Sequence, residues 1–222
     1  MLLRIPNFLQ PGEVTALRQQ IDAIQTEDGS VSGNPNLKQN RQLTGANPAV
    51  RPLLDEVQRR LFANQEFVSF ALPLHMSVAF NRYDPGMFYQ FHSDAAIMGS
   101  IGQQQPLRTD LSITISLSSE QEYEGGEFHI RTPYGEMTLK EAAGTLICYP
   151  SNMPHRVEAI RQGQRISAIG WVQSLLRSPE KREIVQQLGH LHRAVTANDP
   201  NHPQDQAFGQ LRNNLLRMWS ET

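Results

Sequence analysis

Two histidines, an aspartate and an arginine are the side chains whose types and spacing could do chemistry together in this chain: His92, Asp94, His155 and Arg165. If Phe88 to Asp94 is a strand, the two-residue side-chain period puts His92 and Asp94 on one face, where an imidazole nitrogen and a carboxylate oxygen can converge on one ion. His155 follows 61 positions after Asp94, beyond several strand-like segments, a separation that suits a ligand delivered across a barrel. Two imidazoles and one carboxylate on one face of a metal leave the opposite positions open, and that arrangement suits Fe(II) oxygen chemistry. Ten residues further on, Arg165 opens the run Arg-Ile-Ser-Ala-Ile-Gly-Trp. Its planar fork of donors suits a bound carboxylate, and Ser167, on the same strand face, can add a hydroxyl. Tyr83 and Tyr89 flank the Pro85-Gly86 turn, where a phenol can also bond a carboxylate, although tyrosines are ordinary core residues too.

Plainer readings compete. In a chain with 7 histidines, a His-x-Asp pair alone is a weak signal. Its weight comes from order: a Pro-Gly turn, a strand entering His92, then His155 after Pro150-Ser151-Asn152-Met153-Pro154, then the arginine. His75 has no carboxylate or second histidine at a matching position and reads as structural. His129 has only Glu127 nearby on its strand face and reads as a decoy. His190 and His192 stand two apart on a helical stretch, which points them in different directions.

The elements that must position these residues follow from periodicity. Leu2 to Leu9 reads as a strand, and Pro11-Gly12-Glu13 opens a helix with Val14, Leu17, Ile21 and Ile24 on its apolar face. Gln25 to Asn47 reads as an irregular loop in which Lys38, Asn40 and Arg41 could line a substrate entrance. A helix over Pro48 to Ala63 follows, then strands over Phe67 to Leu72 and His75 to Tyr83. Ala95 to Arg108, with Gly99, Gly102 and three consecutive glutamines, reads as a loop beside the site that could act as a lid. Asp110 to Ser118 alternates Leu111, Ile113, Ile115 and Leu117 with Ser112, Thr114 and Ser116, and either face could look inward. Further strands fall at Glu127 to Ile130, Met137 to Leu139, Thr145 to Tyr149, Val157 to Ile160 and Arg165 to Trp171. Roughly eight strands with helices segregated to the start and end predict a mainly β fold with flanking helices, a double-stranded β-helix or jelly roll of the cupin type. Ser178-Pro179 then starts a helical extension, with Ser as N-cap. We expect residues 1–177 to form the jelly-roll domain, with a catalytic core at about 76–174, and residues 178–222 the extension.

Bulk properties exclude some classes. With 222 residues and 39% hydrophobic side chains the chain can bury a real core. A net charge of −2 gives no basic footprint for nucleic acid. No apolar run approaches membrane-spanning length, and Cys148 is the one cysteine, so no intrachain disulfide forms. These features predict a soluble, cytoplasmic protein.

The pattern Asn81-x-Tyr83, Gly86, Tyr89, His92-x-Asp94, Gly125-Gly126-Glu127, His155 and Arg165 resembles the PKHD-type hydroxylases. These are bacterial relatives of the prolyl 4-hydroxylase group within the Fe(II)- and 2-oxoglutarate-dependent dioxygenases. The likeness covers almost the whole chain, from the stretch Leu37 to Leu43 to Gly170-Trp171-Val172-Gln173-Ser174 and the helical tail. It implies that His92, Asp94 and His155 hold Fe(II) and that Arg165, with Tyr83 and Ser167, receives 2-oxoglutarate. It also implies that decarboxylation of this co-substrate to succinate drives dioxygen-dependent hydroxylation of an unidentified small molecule or peptide, with L-ascorbate as a further requirement. The helical tail packs on the barrel or on a second copy in a homodimer. Two other classes stay open: a zinc hydrolase, which would need a general base and leaves Arg165 no task, and a non-catalytic cupin-like sensor of iron or a small molecule.

Overall fold

A computed structural model of the chain describes residues 2–29, 36–99, 106–197, 199 and 201–221. Two antiparallel sheets face each other. The larger runs, in spatial order, Leu3–Ile5, Leu146–Pro150, Leu111–Ser116, Arg165–Ser174, Pro73–Tyr83, Arg41–Leu43 and Glu27–Asp28. The smaller runs Gly135–Leu139, Phe128–Thr132, His155–Val157, Phe88–His92 and Lys38–Gln39. This is the mainly β jelly-roll architecture with helices at the two ends of the chain, split into more and shorter strands than the periodicity predicts.

The alternation of the central strands decides which side faces what. Ile166, Ala168 and Val172 join Leu111, Ile113, Ile115, Leu117, Val78 and Phe80 in a core between the larger sheet and its covering helices. Those helices, Pro11–Asp22, Arg51–Ala63 and Gln65–Ala71, contribute Val14, Leu17, Ile21, Leu53, Leu54, Val57, Leu61, Phe67 and Phe70. Each such side chain taken out of water contributes about 1.5–3 kcal/mol. Cys148 lies in the same core, its thiol pushed up by burial. The opposite face carries Ser112, Thr114, Arg165 and Trp171, which line the space between the sheets. The hydroxyl face of the 111–116 strand therefore looks inward, the alternative its alternation alone leaves open.

Three local expectations are corrected. Residues 67–72, expected as a strand, belong to the helix Gln65–Ala71, started by Asn64, whose side chain accepts from Phe67 N at 2.9 Å, and ended by Leu72 in the left-handed region at φ 43°. Phe67, Phe70 and Ala71 are three and four apart, and so short an apolar run suits either structure. The expected loop at 25–47 contains the strands Glu27–Asp28, Lys38–Gln39 and Arg41–Leu43. The 95–108 segment includes a two-stranded ribbon of Ile97–Met98 and Leu107–Arg108; residues 100–105, in the expected lid, lie outside the described residues.

The C-terminal helices Pro179–Thr196 and Asp205–Trp219 pack on the same chain, where Leu72, Leu176 and Val185 meet Leu215, Leu216 and Trp219. Ser178 caps the first of them, accepting from Lys181 N at 3.1 Å. His192 Nε2 lies 2.7 Å from Asp205 Oδ1 and ties the two helices together. Leu191, Leu211 and Met218 remain exposed.

Candidate metal centre

His92 ends one strand of the smaller sheet, His155 opens the next, and the two are direct cross-strand partners. Asp94 lies just beyond the strand that ends at His92, so strand period does not place it. Its backbone N–H donates to Ser151 O at 3.1 Å, which pins residue 94 against the turn leading to His155. A carbonyl two residues earlier orients each imidazole: His92 Nδ1 donates to Gln90 O at 2.8 Å, and His155 Nδ1 to Met153 O at 2.9 Å. Those bonds select the tautomer that leaves Nε2 with a free lone pair. The two Nε2 atoms lie 3.8 and 3.9 Å from Asp94 Oδ1, too long for hydrogen bonds. Donor atoms of all three residues fall within 4.8 Å of one another, and among the described residues this is the one such group of His, Cys, Asp or Glu.

The surroundings keep these donors available. Burial, then the neighbouring His155, pushes His92 down to about 4, against weaker pulls upward from the Gln90 carbonyl and Asp94. Its imidazole is therefore neutral at neutral pH, the form a metal requires. Ser112 Oγ donates to the second oxygen of Asp94 and lies 2.8 Å from Ser151 Oγ. Tyr89 stacks on the His92 ring with centroids 3.5 Å apart. An oriented pair of imidazoles and a braced carboxylate, held near one another without bonding, fit a divalent transition metal.

The three residues line a cavity of about 520 Å³. Tyr83 and Arg165, which face each other across neighbouring strands, form its buried end at 1% and 6% exposure. The guanidinium carbon of Arg165 lies 5.6 Å from the Tyr83 ring centroid. Burial raises the Tyr83 phenol while Arg165 pulls it back. Ser167 is fully buried, does not line the cavity, and has a hydroxyl without a hydrogen-bond partner.

Tyr123 is a residue that sequence reasoning missed. Its phenol is buried and hydrogen-bonded with Arg165. Gly125 and Gly126 follow at φ 76° and 67°, and a Cβ on Gly126 would lie 2.4 Å from Ile160 Cδ1 and 3.0 Å from the Tyr123 ring. The Gly-Gly turn thus permits the packing that sets Tyr123 beside the arginine, and it was the available signal.

The decoys stay apart from the site. His75 is exposed. His129 faces the opposite side of the smaller sheet, with Nδ1 3.0 Å from Glu136 Oε1 and Nε2 3.1 Å from Glu158 Oε1. A second groove of about 740 Å³ shares Ser77 and Met98 with the metal cavity and includes Phe62, Leu74, Met76 and Leu107. Among the described residues no Asp, Glu, Lys or Arg lines that groove.

This fold and this donor set define the class, a non-haem iron oxygenase on a jelly roll. Residues 78–173 match the family model of the 2OG-Fe(II) oxygenase superfamily. PKHD-type hydroxylases from Shewanella baltica and Crocosphaera subtropica are each 36% identical over 225 residues, covering 100% of both chains. The chain belongs to the PKHD-type hydroxylases of the 2OG-Fe(II) oxygenase superfamily. Among solved structures it resembles a Pseudomonas putida prolyl-4-hydroxylase with a TM-score of 0.57 at 20% identity, covering 78% of this chain and 92% of that one. HygX from Streptomyces hygroscopicus, solved with nickel and 2-oxoglutarate bound, gives 0.56 at 15% identity, covering 79% and 84%. The protein is an Fe(II)- and 2-oxoglutarate-dependent dioxygenase, an oxidoreductase that couples oxidative decarboxylation of 2-oxoglutarate to hydroxylation.

Proposed function

We propose that His92, Asp94 and His155 hold the iron and that Arg165 receives the distal carboxylate of 2-oxoglutarate. The observation that carries this reading is the placement of two pre-oriented imidazoles and a braced carboxylate in one cavity with a buried arginine at its inner end. Bound Fe(II) supplies the activation of dioxygen. The chain's own residues do the positioning. Gln90 and Met153 carbonyls fix the imidazole tautomers, and Ser112 holds Asp94 in its ligating orientation. Arg165 binds a carboxylate through a charge-assisted fork in a setting sheltered from water, and Tyr123 steadies that fork. Tyr83 presents a phenol that burial keeps protonated, so it donates to the same carboxylate. Ser167, two residues on from Arg165 and with a buried hydroxyl that has no hydrogen-bond partner, supports that end of the site from behind the cavity wall. The balance converts 2-oxoglutarate and dioxygen to succinate and carbon dioxide, one oxygen atom entering succinate and the other the substrate C–H bond.

A zinc hydrolase would need a general base at the cavity wall, and Asp94 is the one carboxylate among the described lining residues. We also infer a unit of residues 1–177 with 178–222 as an extension, a small-molecule or peptide substrate, a cytoplasmic setting and ascorbate as reductant. Self-association through the exposed Leu191, Leu211 and Met218 is the reading light scattering would check. No helix among the described residues is long and apolar enough to cross a membrane. The test of the site is anaerobic addition of Fe(II) and then 2-oxoglutarate, read by the visible charge-transfer band of a chelated 2-oxo acid. A band that needs both supports the assignment, and iron binding without a band sinks the role of Arg165.

A further inference from the structure

The second groove is built around one strand edge. Successive side chains of a strand point to opposite faces, yet Leu74, His75, Met76 and Ser77 are consecutive residues of the strand Pro73–Tyr83 and all four line the groove. A groove reached from both faces of a strand runs along its edge. One edge of this strand is paired with Arg165–Ser174 over its whole length, from Pro73 to Tyr83. On the other edge Arg41–Leu43 pairs only with Phe80 to Arg82. Among the described residues, the main chain of 73–79 therefore has no strand partner on that side.

An open edge offers N–H and C=O groups to a further strand, and proteins ordinarily cover such an edge or guard it with charge. Here the flanks are apolar: Phe62, 46% exposed on the helix Arg51–Ala63, stands on one side, and Met98, Pro106 and Leu107 stand on the other. No Asp, Glu, Lys or Arg among the described residues lines the groove, and Gln58 and Gln173 supply its amides. Its inner end opens at the metal cavity, since Ser77 and Met98 line both spaces. These features select the occupant. A charged molecule meets no opposite charge there, and a purely apolar one would strip water from the edge N–H and C=O groups without replacing its hydrogen bonds. An extended polypeptide satisfies the edge and the apolar flanks together.

Resting on the metal and co-substrate reading above, we propose that the edge at residues 73–79 is a docking site where the primary substrate, an extended polypeptide without charged side chains in the docked stretch, adds as a further strand. The docked stretch directs a neighbouring residue of the same polypeptide past Ser77 and Met98 to the iron. Main-chain pairing supplies the affinity, and the flanks of the groove select side chains at alternate positions. Recognition then rests on backbone and on the absence of charge, at a distance from the residue that reacts.

The experiment uses the full chain, loaded anaerobically with Fe(II) and 2-oxoglutarate until the charge-transfer band is complete. The probe is the capped heptapeptide Ser-Val-Thr-Gln-Thr-Val-Ser, matched in length to the open edge. Its counterparts are a fully N-methylated form, which keeps the side chains and has no N–H to donate, and a form with lysine in place of each threonine. Saturating probe should slow hydrogen exchange across residues 73–79 at least fivefold, and neither counterpart should do so at the same concentration. A trifluoromethyl label at one end of the probe or the other should show, for one of the two positions, a fluorine resonance at least threefold broader on Mn(II)-loaded than on Zn(II)-loaded enzyme. Phe62→Lys should lose the exchange protection and Phe62→Leu should keep it, with 2-oxoglutarate affinity within twofold in both, which separates loss of docking from loss of the fold. The proposal is overturned by an unprotected edge in the wild type, by equal protection from either counterpart, by equal protection in Phe62→Lys, or by two labels that stay sharp. Protection that rises with protein concentration before any probe is added gives the edge to a second copy of the chain and equally overturns it. A wild type that forms no charge-transfer band is the distinct failure of the metal and co-substrate reading, seen before the probe enters, and this proposal falls with it.

Discussion

The two faces of the smaller sheet carry the same chemical groups to opposite ends. On the outer face His129 sits between Glu136 and Glu158 at 3.0 and 3.1 Å, Arg156 reaches Glu158 at 2.8 Å, and Arg131 and Arg156 lie over the Phe91 ring at 3.7 and 4.8 Å. His129, Arg131 and Arg156 each lie within 4.0 Å of a carboxylate oxygen of Glu136 or Glu158. On the inner face His155, on the strand that pairs with His129's own, stands 3.9 Å from Asp94, with its Nδ1 already committed to a carbonyl. The outer groups touch one another, whereas the inner groups are held apart by bonds to the backbone. The difference teaches that a latent metal site is recognised by donors prevented from satisfying each other.

The sharpest way to break this comparison is His155→Ala, which should lower 2-oxoglutarate-dependent succinate formation by at least about 10³-fold and abolish stoichiometric iron binding, measured on the same preparation. Retained iron would show that the inner face is no more a metal site than the outer. Arg165→Ala comes next: about 2–3 kcal/mol of charge-assisted bonding is lost, which raises the KM for 2-oxoglutarate roughly 30–150-fold, with iron affinity unchanged in a metal titration. Ser112→Ala removes the brace on Asp94 and should weaken iron binding about 10-fold, as loss of outer bonding partners of a ligand generally does.

A smaller effect separates Lys38 from ordinary surface lysines. Its folded pKa of about 8 lies below the ordinary lysine value of 10.5, so between those values the unfolded chain binds more protons and stability rises with pH. That contribution is lost as pH falls through about 8. The urea midpoint of the wild type should therefore gain on Lys38→Met between pH 8 and 10, and parallel curves would contradict the buried position. His129→Gln should have the least consequence, within about twofold in succinate formation and within about 1 kcal/mol in stability, because it disturbs a part-exposed ion-pair network. A loss matching that of His155→Ala would erase the distinction between the faces.

Much of the site was legible because its residues lie on or next to strands with clear alternation. His92, Asp94, His155 and Arg165 were all found from type and spacing, although Asp94 reaches the site through a backbone bond to Ser151 and not through strand period. The helix at Gln65–Ala71 was read as a strand because seven residues are too few for periodicity to separate the two. Ser112 was seen but given no task, Tyr123 was missed, and Lys38 was placed only at an entrance. Each gains its meaning from a neighbour far along the chain.

Taken alone, then, the sequence determined the class of fold and singled out His92, Asp94, His155 and Arg165, since side-chain type and local period are properties of the chain itself. Only the tertiary structure decided which face of the 111–116 strand looks inward, which histidine pairs with carboxylates on the outside, and that Lys38, Tyr89 and His92 stand together. Those facts depend on strand register and on the burial of one face against another, and both arise only when segments distant in sequence pack.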